Sequence, residues 1–130
     1  MATEGAQPLK TTAIAGADLS AKQYYFMKLS ADNTVVACAA ATDVPCGVLQ
    51  NTPASGDAAE LVVIGETKIS GDADLDAGHL IGTSADGQAD RKIPGTDTTE
   101  YTVGQVKVGN TAAGGLVTAF VNCASPSRAA

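Results

Sequence analysis

The stretch "ADLSA" at residues 17–21 returns as "ADLDA" at 73–77, and the blocks downstream of each copy return in the same order. After the first come "YYFMKL" (24–29), "SADNTVV" (30–36), "GVLQN" (47–51) and "PASGDAAELVVI" (53–64). After the second come "HLIG" (79–82), "SADGQA" (84–89), "GQVKV" (104–108) and "TAAGGLVTAFV" (111–121). The offset between copies is 56 at the opening pair, 54 at the "SAD" pair and 57 at the glycine pair. Shared order across four blocks reads as a tandem duplication of a unit of about 55 residues, with small insertions, the largest being "RKIPGTDTTE" (91–100). The competing reading is convergent turn chemistry, because Ser, Ala, Asp and Gly recur in any β-rich chain.

A chain of 130 residues is one domain by length. A half of this size is near the lower limit for an independent core, so the halves are expected to share one. Tyr24, Tyr25, Phe26, Tyr101 and Phe120 are the only aromatic residues, and they are expected to be the large pieces of a core otherwise made of Val, Ile, Leu and Ala. The net charge of −6 argues against nucleic acid as a partner, since phosphates call for a basic face, and equally against an anionic membrane surface. No apolar run approaches the length of a membrane-spanning helix. "MATEGAQPLK" has no basic region followed by an apolar block, so the expected compartment at synthesis is the cytoplasm.

No window keeps helical apolar spacing without Gly or Pro interrupting it. Short β-branched runs bounded by turn residues dominate. They predict strands at Thr12–Ala15, Tyr24–Leu29, Thr34–Ala39, Gly47–Gln50, Glu60–Ile64, Thr67–Ile69, His79–Gly82, Tyr101–Val108 and Leu116–Val121. The fold class is all-β: a small barrel or sandwich built from two duplicated halves, with flexible N- and C-terminal arms. The expected organisation is an arm over 1–12, a β domain over 13–123 with half-repeats 17–69 and 73–123, and a tail over 124–130. "SADN" (30–33) and "SADG" (84–87) are hairpin turns in which Asn33 and Gly87 supply a positive φ. "NTPASGD" (51–57) and "GNTAAGG" (109–115) are the matching longer hairpin loops. Asp18 and Asp74 are expected to accept bonds from nearby backbone amides, and Leu19 and Leu75 to plug the two ends of the core.

The residues offer little chemistry. His79 is the one histidine, so any Ser–His or Cys–His system must use it, and a strand-start position is structural more often than catalytic. Asp72, Asp74 and Asp76 alternate along an acidic loop with no apolar pocket to shift a pKa, and without the spaced oxygens of a calcium loop. Cys38, Cys46 and Cys123 show no C-x-x-C spacing and read as small buried hydrophobes. One alternative survives: "GETKISGDADLDAGHLI" (65–81) is similar to the lysine hairpin of lipoyl and biotinyl carrier domains, with Lys68 as the modified residue near the seam of the halves.

Four ordered blocks, Asp18–Leu29, Asp43–Lys68, Ala77–Ala89 and Gly104–Val121, resemble the tailed-bacteriophage capsid cement, or head decoration, proteins. The resemblance implies a non-enzymatic β domain without cofactor or metal, docked on the outer surface of an assembled capsid. It implies the major capsid protein as partner, a homo-oligomer, favoured as a trimer, and a virion location reached from the host cytoplasm. "RKIPGTDTTE", "ASPSRAA" (124–130) and the cysteines lie outside the pattern. The expected docking element is Ala6–Ile14, with Leu9, Lys10, Thr11, Thr12 and Ile14 as capsid-binding residues, an arm able to add a strand to a capsid edge.

Overall fold

In this computed structural model residues 2–130 are described, and every regular element among them is a strand. They are β1 (Leu9–Ala15), β2 (Phe26–Ala31), β3 (Thr34–Ala37), β4 (Gly47–Leu49), β5 (Ala58–Ser70), β6 (Leu80–Thr83), β7 (Ala89–Arg91), β8 (Tyr101–Thr102), β9 (Gly104–Val108), β10 (Leu116–Asn122) and β11 (Ser127–Arg128). The order β1-β3-β2-β4-β5 closes on itself because β1 also pairs with β5, giving a five-stranded mixed barrel. The only parallel pairing between named strands is β1–β3, with Ile14 opposite Thr34 and Ala15 opposite Val35.

The second half repeats this scheme strand for strand. From β5 the sheet continues β10-β9-β6-β7, and a parallel bridge between Gly71 and Ala89 brings β7 back beside the end of β5. The register repeats too. Thr12 faces Glu60 and Ala13 faces Ala59, while Lys68 faces Thr118 and Ile69 faces Val117. Gly16 N–H donates to Val35 O, and Asp72 N–H donates to Ala89 O, each at 2.8 Å. The ladder pairs relate by offsets of 56 and 58 and the hydrogen-bonded pairs by 56 and 54, as the matching sequence blocks do, so the repeat is architectural and shared turn chemistry is too weak an account of it.

One strand serves both barrels. Ala58–Ile64 closes the first, and Gly65–Ser70 opens the second. Two separate strands were expected here, because Gly65 looks like a breaker. Instead Val63 is left without a partner in β1, a bulge that turns β5 from one barrel into the next. Gly65 stays in the strand with φ 153°, and the N-terminal chain crosses it so closely that a Cβ there would lie 2.7 Å from Gln7 Cα.

The single shared core is also corrected. Ala13, Ala15, Leu19, Met27, Val35, Leu49, Ala59 and Leu61 fill the first barrel. Ile69, Leu75, Ile81, Val106, Val117, Ala119 and Val121 fill the second, together with Phe26, Val48 and Val62 from the first half. Those three alternate with Met27, Leu49 and Leu61 along their strands, so the first barrel presents its outer wall to its neighbour's interior. Of the five aromatic residues only Phe26 is fully buried. Leu19 and Leu75 are buried as expected, but each in its own core. Leu75→Ala is expected to cost about 2–5 kcal/mol in urea unfolding; a loss below about 0.5 kcal/mol would show that the site does not act as a plug.

The turns follow the repeat. Asn33 (φ 51°) and Gly87 (φ 82°) take equivalent places in the two short hairpins. Asp18 Oδ1 accepts from Ser20 N–H at 3.1 Å, and the Ser20 hydroxyl, with this amide second, lowers the carboxyl's pKa from its ordinary value. At the second copy Asp74 has no such role among the described residues: Leu75 N–H donates to Asn110 Oδ1 at 2.8 Å, and Asp76 N–H, the counterpart of Ser20 N–H, donates to His79 Nδ1. Nor is "RKIPGTDTTE" foreign to the repeat: Asp43 Oδ2 accepts from Ala39 N–H at 2.8 Å, and Asp97 Oδ2 accepts from Ile93 N–H at 2.6 Å, at one common offset.

The terminal segments, expected as arms, lie on the barrels. Gly5 N–H donates to Glu66 O at 3.0 Å and Glu66 N–H donates to Ala6 O at 2.8 Å. Residues 9–12 are strand, and residue 1 lies outside the described residues. At the other end β11 pairs with β8, and Ala129 is buried. Small polar side chains suggested freedom, but backbone hydrogen bonds anchor both segments.

Candidate docking surface

Leu9, Lys10, Thr11, Thr12 and Ile14 all lie on β1 and are all exposed, while Ala13 and Ala15 between and beyond them are buried. Strand alternation at the barrel mouth produces this pattern. One edge of β1 pairs with β5 along its whole length. The other edge pairs with β3 only at Ile14 and Ala15, so Lys10–Ala13 have no strand beside them among the described residues. Lys10, Thr11 and Thr12 line a groove of about 170 Å³ with Gln50, Glu60 and Leu61. The expected docking residues therefore form a fixed, exposed strand, not a loose arm.

A second feature escaped the sequence reading. Glu66, Phe120, Gln105 and Leu80 stand directly opposite one another on β5, β10, β9 and β6, so their side chains share one face. Phe120 is 48% exposed, where a core position was expected. The signal was present in "LVTAFVN": Val117, Ala119 and Val121 alternate inward, which leaves Phe120 outside. Shallow grooves of about 300 and 290 Å³ meet at its ring, one along Leu80, Val103 and Gln105, the other along Ala6, Ile64 and Glu66. Lys107 Nζ sits 5.7 Å from the ring centroid and 2.9 Å from Glu66 Oε1. Leu9 is the partner of Ile64, so the apolar run continues from Phe120 to the start of β1. An exposed apolar run of this kind is suited to binding another macromolecule.

The residues with chemical potential have structural settings. Lys68 lies within β5 opposite Thr118, half-buried, with Nζ 5.7 Å from the Tyr24 ring centroid. A carrier lysine must project from a turn tip to reach its modifying enzyme, so the carrier alternative is withdrawn. His79 Nδ1 accepts from Asp76 N–H at 3.2 Å, which fixes the acidic turn. His79 N–H bonds to Asp76 O as Tyr25 N–H bonds to Lys22 O, so Tyr25 is its counterpart. Cys38 and Cys123 are buried and Cys46 half-buried, all with free thiols. Burial pushes the Cys38 thiol up to about 12 and the Cys46 thiol to about 11, and raises Cys123 as well, which keeps all three protonated and unreactive.

No protein-family model matches the chain, and no curated protein matches it by sequence. Among solved structures, the chain is similar to the N base of head fiber gp8.5 of bacteriophage phi29, with a TM-score of 0.62 and 20% sequence identity. The similarity covers 88% of this chain and 94% of that one, so the two share a fold across nearly their whole lengths.

Proposed function

We propose that the chain is a structural protein of a phage virion. It sits on the outer surface of the head, binds the major capsid protein and so cements the assembled shell. The observation that carries this reading is the fold shared with a phage head fiber base over 88% of the chain. The ordered sequence blocks point the same way, as do the acidic charge and the exposed apolar run from Leu9 to Phe120. The role is thermodynamic and needs no catalytic residue. A protein that binds only the assembled shell stabilises it by RT ln(1 + [L]/Kd), and an oligomer touching several subunits, a trimer in our reading, gains further through avidity.

The test is co-sedimentation with purified phage heads stripped of surface proteins. Saturable pelleting at a fixed ratio to the major capsid protein is the expected result, and absence of pelleting with both immature and expanded heads would refute the reading. The shared fold also favours a second role, as the attachment base of a head fiber. Both roles stabilise the head by the same linkage, so electron microscopy of virions separates them: a base carries a fiber projecting from it, whereas a cement does not.

A further inference from the structure

The internal duplication lets one barrel report what the other lacks. By the common offset of 56, Lys10, Thr12, Ile14 and Gly16 of the first barrel correspond to Glu66, Lys68, Ser70 and Asp72 of the second. These backbone groups face outward, away from the antiparallel partner. In the first barrel Ile14 N–H donates to Asn33 O and Gly16 N–H donates to Val35 O. In the second, Ser70 N–H donates to Tyr24 O and Asp72 N–H donates to Ala89 O. One step further along, the equivalence breaks. Both backbone groups of Glu66 are taken by the irregular stretch Gly5–Ala6, and Lys68 N–H is approached by Glu4 Oε1 at 3.5 Å. Among the described residues the corresponding backbone groups of Lys10 and Thr12 make no hydrogen bond and have no strand beside them. The same edge of the same architecture is covered in one barrel and bare in the other.

We propose that the bare edge at Lys10–Thr12 accepts an extended segment of the shell subunit, held by main-chain hydrogen bonds as Gly5–Ala6 is held at Glu66. This rests on the capsid-docking reading above. It reverses the expected arrangement, in which residues 6–14 leave the domain to join a capsid sheet: β1 stays in its barrel and receives a strand there. The occupant is a polypeptide, because a polypeptide fills the equivalent edge. It comes from another molecule, because the chain's own leading segment is already committed at Glu66.

The test is Thr12→Pro. Proline removes the outward N–H and is tolerated on an edge strand whose N–H faces solvent, so the barrel keeps its fold. The variant is expected to keep the wild-type circular dichroism spectrum and to pellet with stripped phage heads at least tenfold more weakly. Hydrogen exchange of the 9–14 peptide is the second measurement and does not depend on the variant folding. The Lys10 and Thr12 amides should exchange freely in the isolated protein and become protected on heads. Wild-type-like pelleting of a folded Thr12→Pro protein, or no gain in protection on heads, would overturn the edge proposal alone. Failure of the wild-type protein to pellet would remove the docking reading and this occupant with it. Protection in the isolated protein that grows with its concentration would assign the edge to a second copy instead.

Discussion

Phe26→Ala is expected to lower stability by about 3–5 kcal/mol and to separate the unfolding of the two halves. Phe26 is fully buried and is the largest side chain that crosses from one repeat into the core of the other. Its backbone belongs to β2, yet its ring packs with Ile69, Ile81 and Val106 of the second barrel. The same residue joins the halves through hydrogen bonds: Phe26 N–H donates to Gly87 O at 2.7 Å. Removing the ring opens a cavity at the joint, where neither barrel can collapse without leaving the other. Met27→Ala is the control, because Met27 points into the first barrel and touches only its own core. Met27→Ala should lower the midpoint of one cooperative transition. Phe26→Ala should lower it and make the tyrosine and far-ultraviolet transitions diverge. Coincident transitions with a loss under about 1 kcal/mol would show that the barrels are not coupled through this ring.

Lys92→Ala is the second large effect, also about 3–5 kcal/mol, the usual cost of breaking a buried ion pair by removing one partner. The Lys92 side chain is 0% exposed, and its ammonium contacts Glu100, with Asp90 Oδ2 at 3.7 Å. Burial raises the Asp90 carboxyl despite the pull of Lys92, and that side chain remains over a third exposed, so Glu100 is the main counter-ion. Alanine would leave Glu100 uncompensated and also a void. The repeat suggests the remedy. Lys92 occupies the position that buried Cys38 holds in the first half, so an uncharged side chain is already tolerated at the equivalent place. A Lys92→Met, Glu100→Gln double variant should therefore recover most of the loss, since similar apolar volume often replaces a buried pair without cost. Urea midpoints of the wild type, Lys92→Met, Glu100→Gln and the double variant give the coupling. A single Lys92→Ala within about 0.5 kcal/mol of wild type would mean that the charge is not buried in solution.

Much of this architecture was legible because the two copies carry the same turns at the same offsets. The offsets 56, 54 and 57 correspond to real equivalences, from the opening turn to the glycine at the start of β4 and β9. The "TD" of Thr42–Asp43 and of Thr96–Asp97 also repeats at 54, and attention to it would have placed "RKIPGTDTTE" inside the duplication. Other features depend on partners that no local pattern encodes. Gly65 reads as a strand breaker unless one knows that another segment crosses it. The terminal segments are held through main-chain groups, which are the same for every sequence. An open edge beside Thr12 is a fact about what is missing alongside it. Of the candidate surface, Thr12–Ile14 was legible as strand, while Leu9–Thr11 was expected in a free arm and is strand as well. Phe120 was misplaced because its size outweighed its phase in the alternation.

The shared strand also has a mechanical meaning. Thirteen residues of extended chain make a rod of about 43 Å that runs from one barrel into the other. Two domains joined by a linker would swing about it. Here the joint is itself hydrogen-bonded, to β1 and β4 on the first half and to β10 on the second. A pull applied between the halves along this axis would load those ladders in shear, with many bonds resisting together instead of parting one by one. The molecule should therefore behave under tension as a single stiff beam without a hinge, a useful property for anything that must stay fastened to a particle while being dragged through fluid.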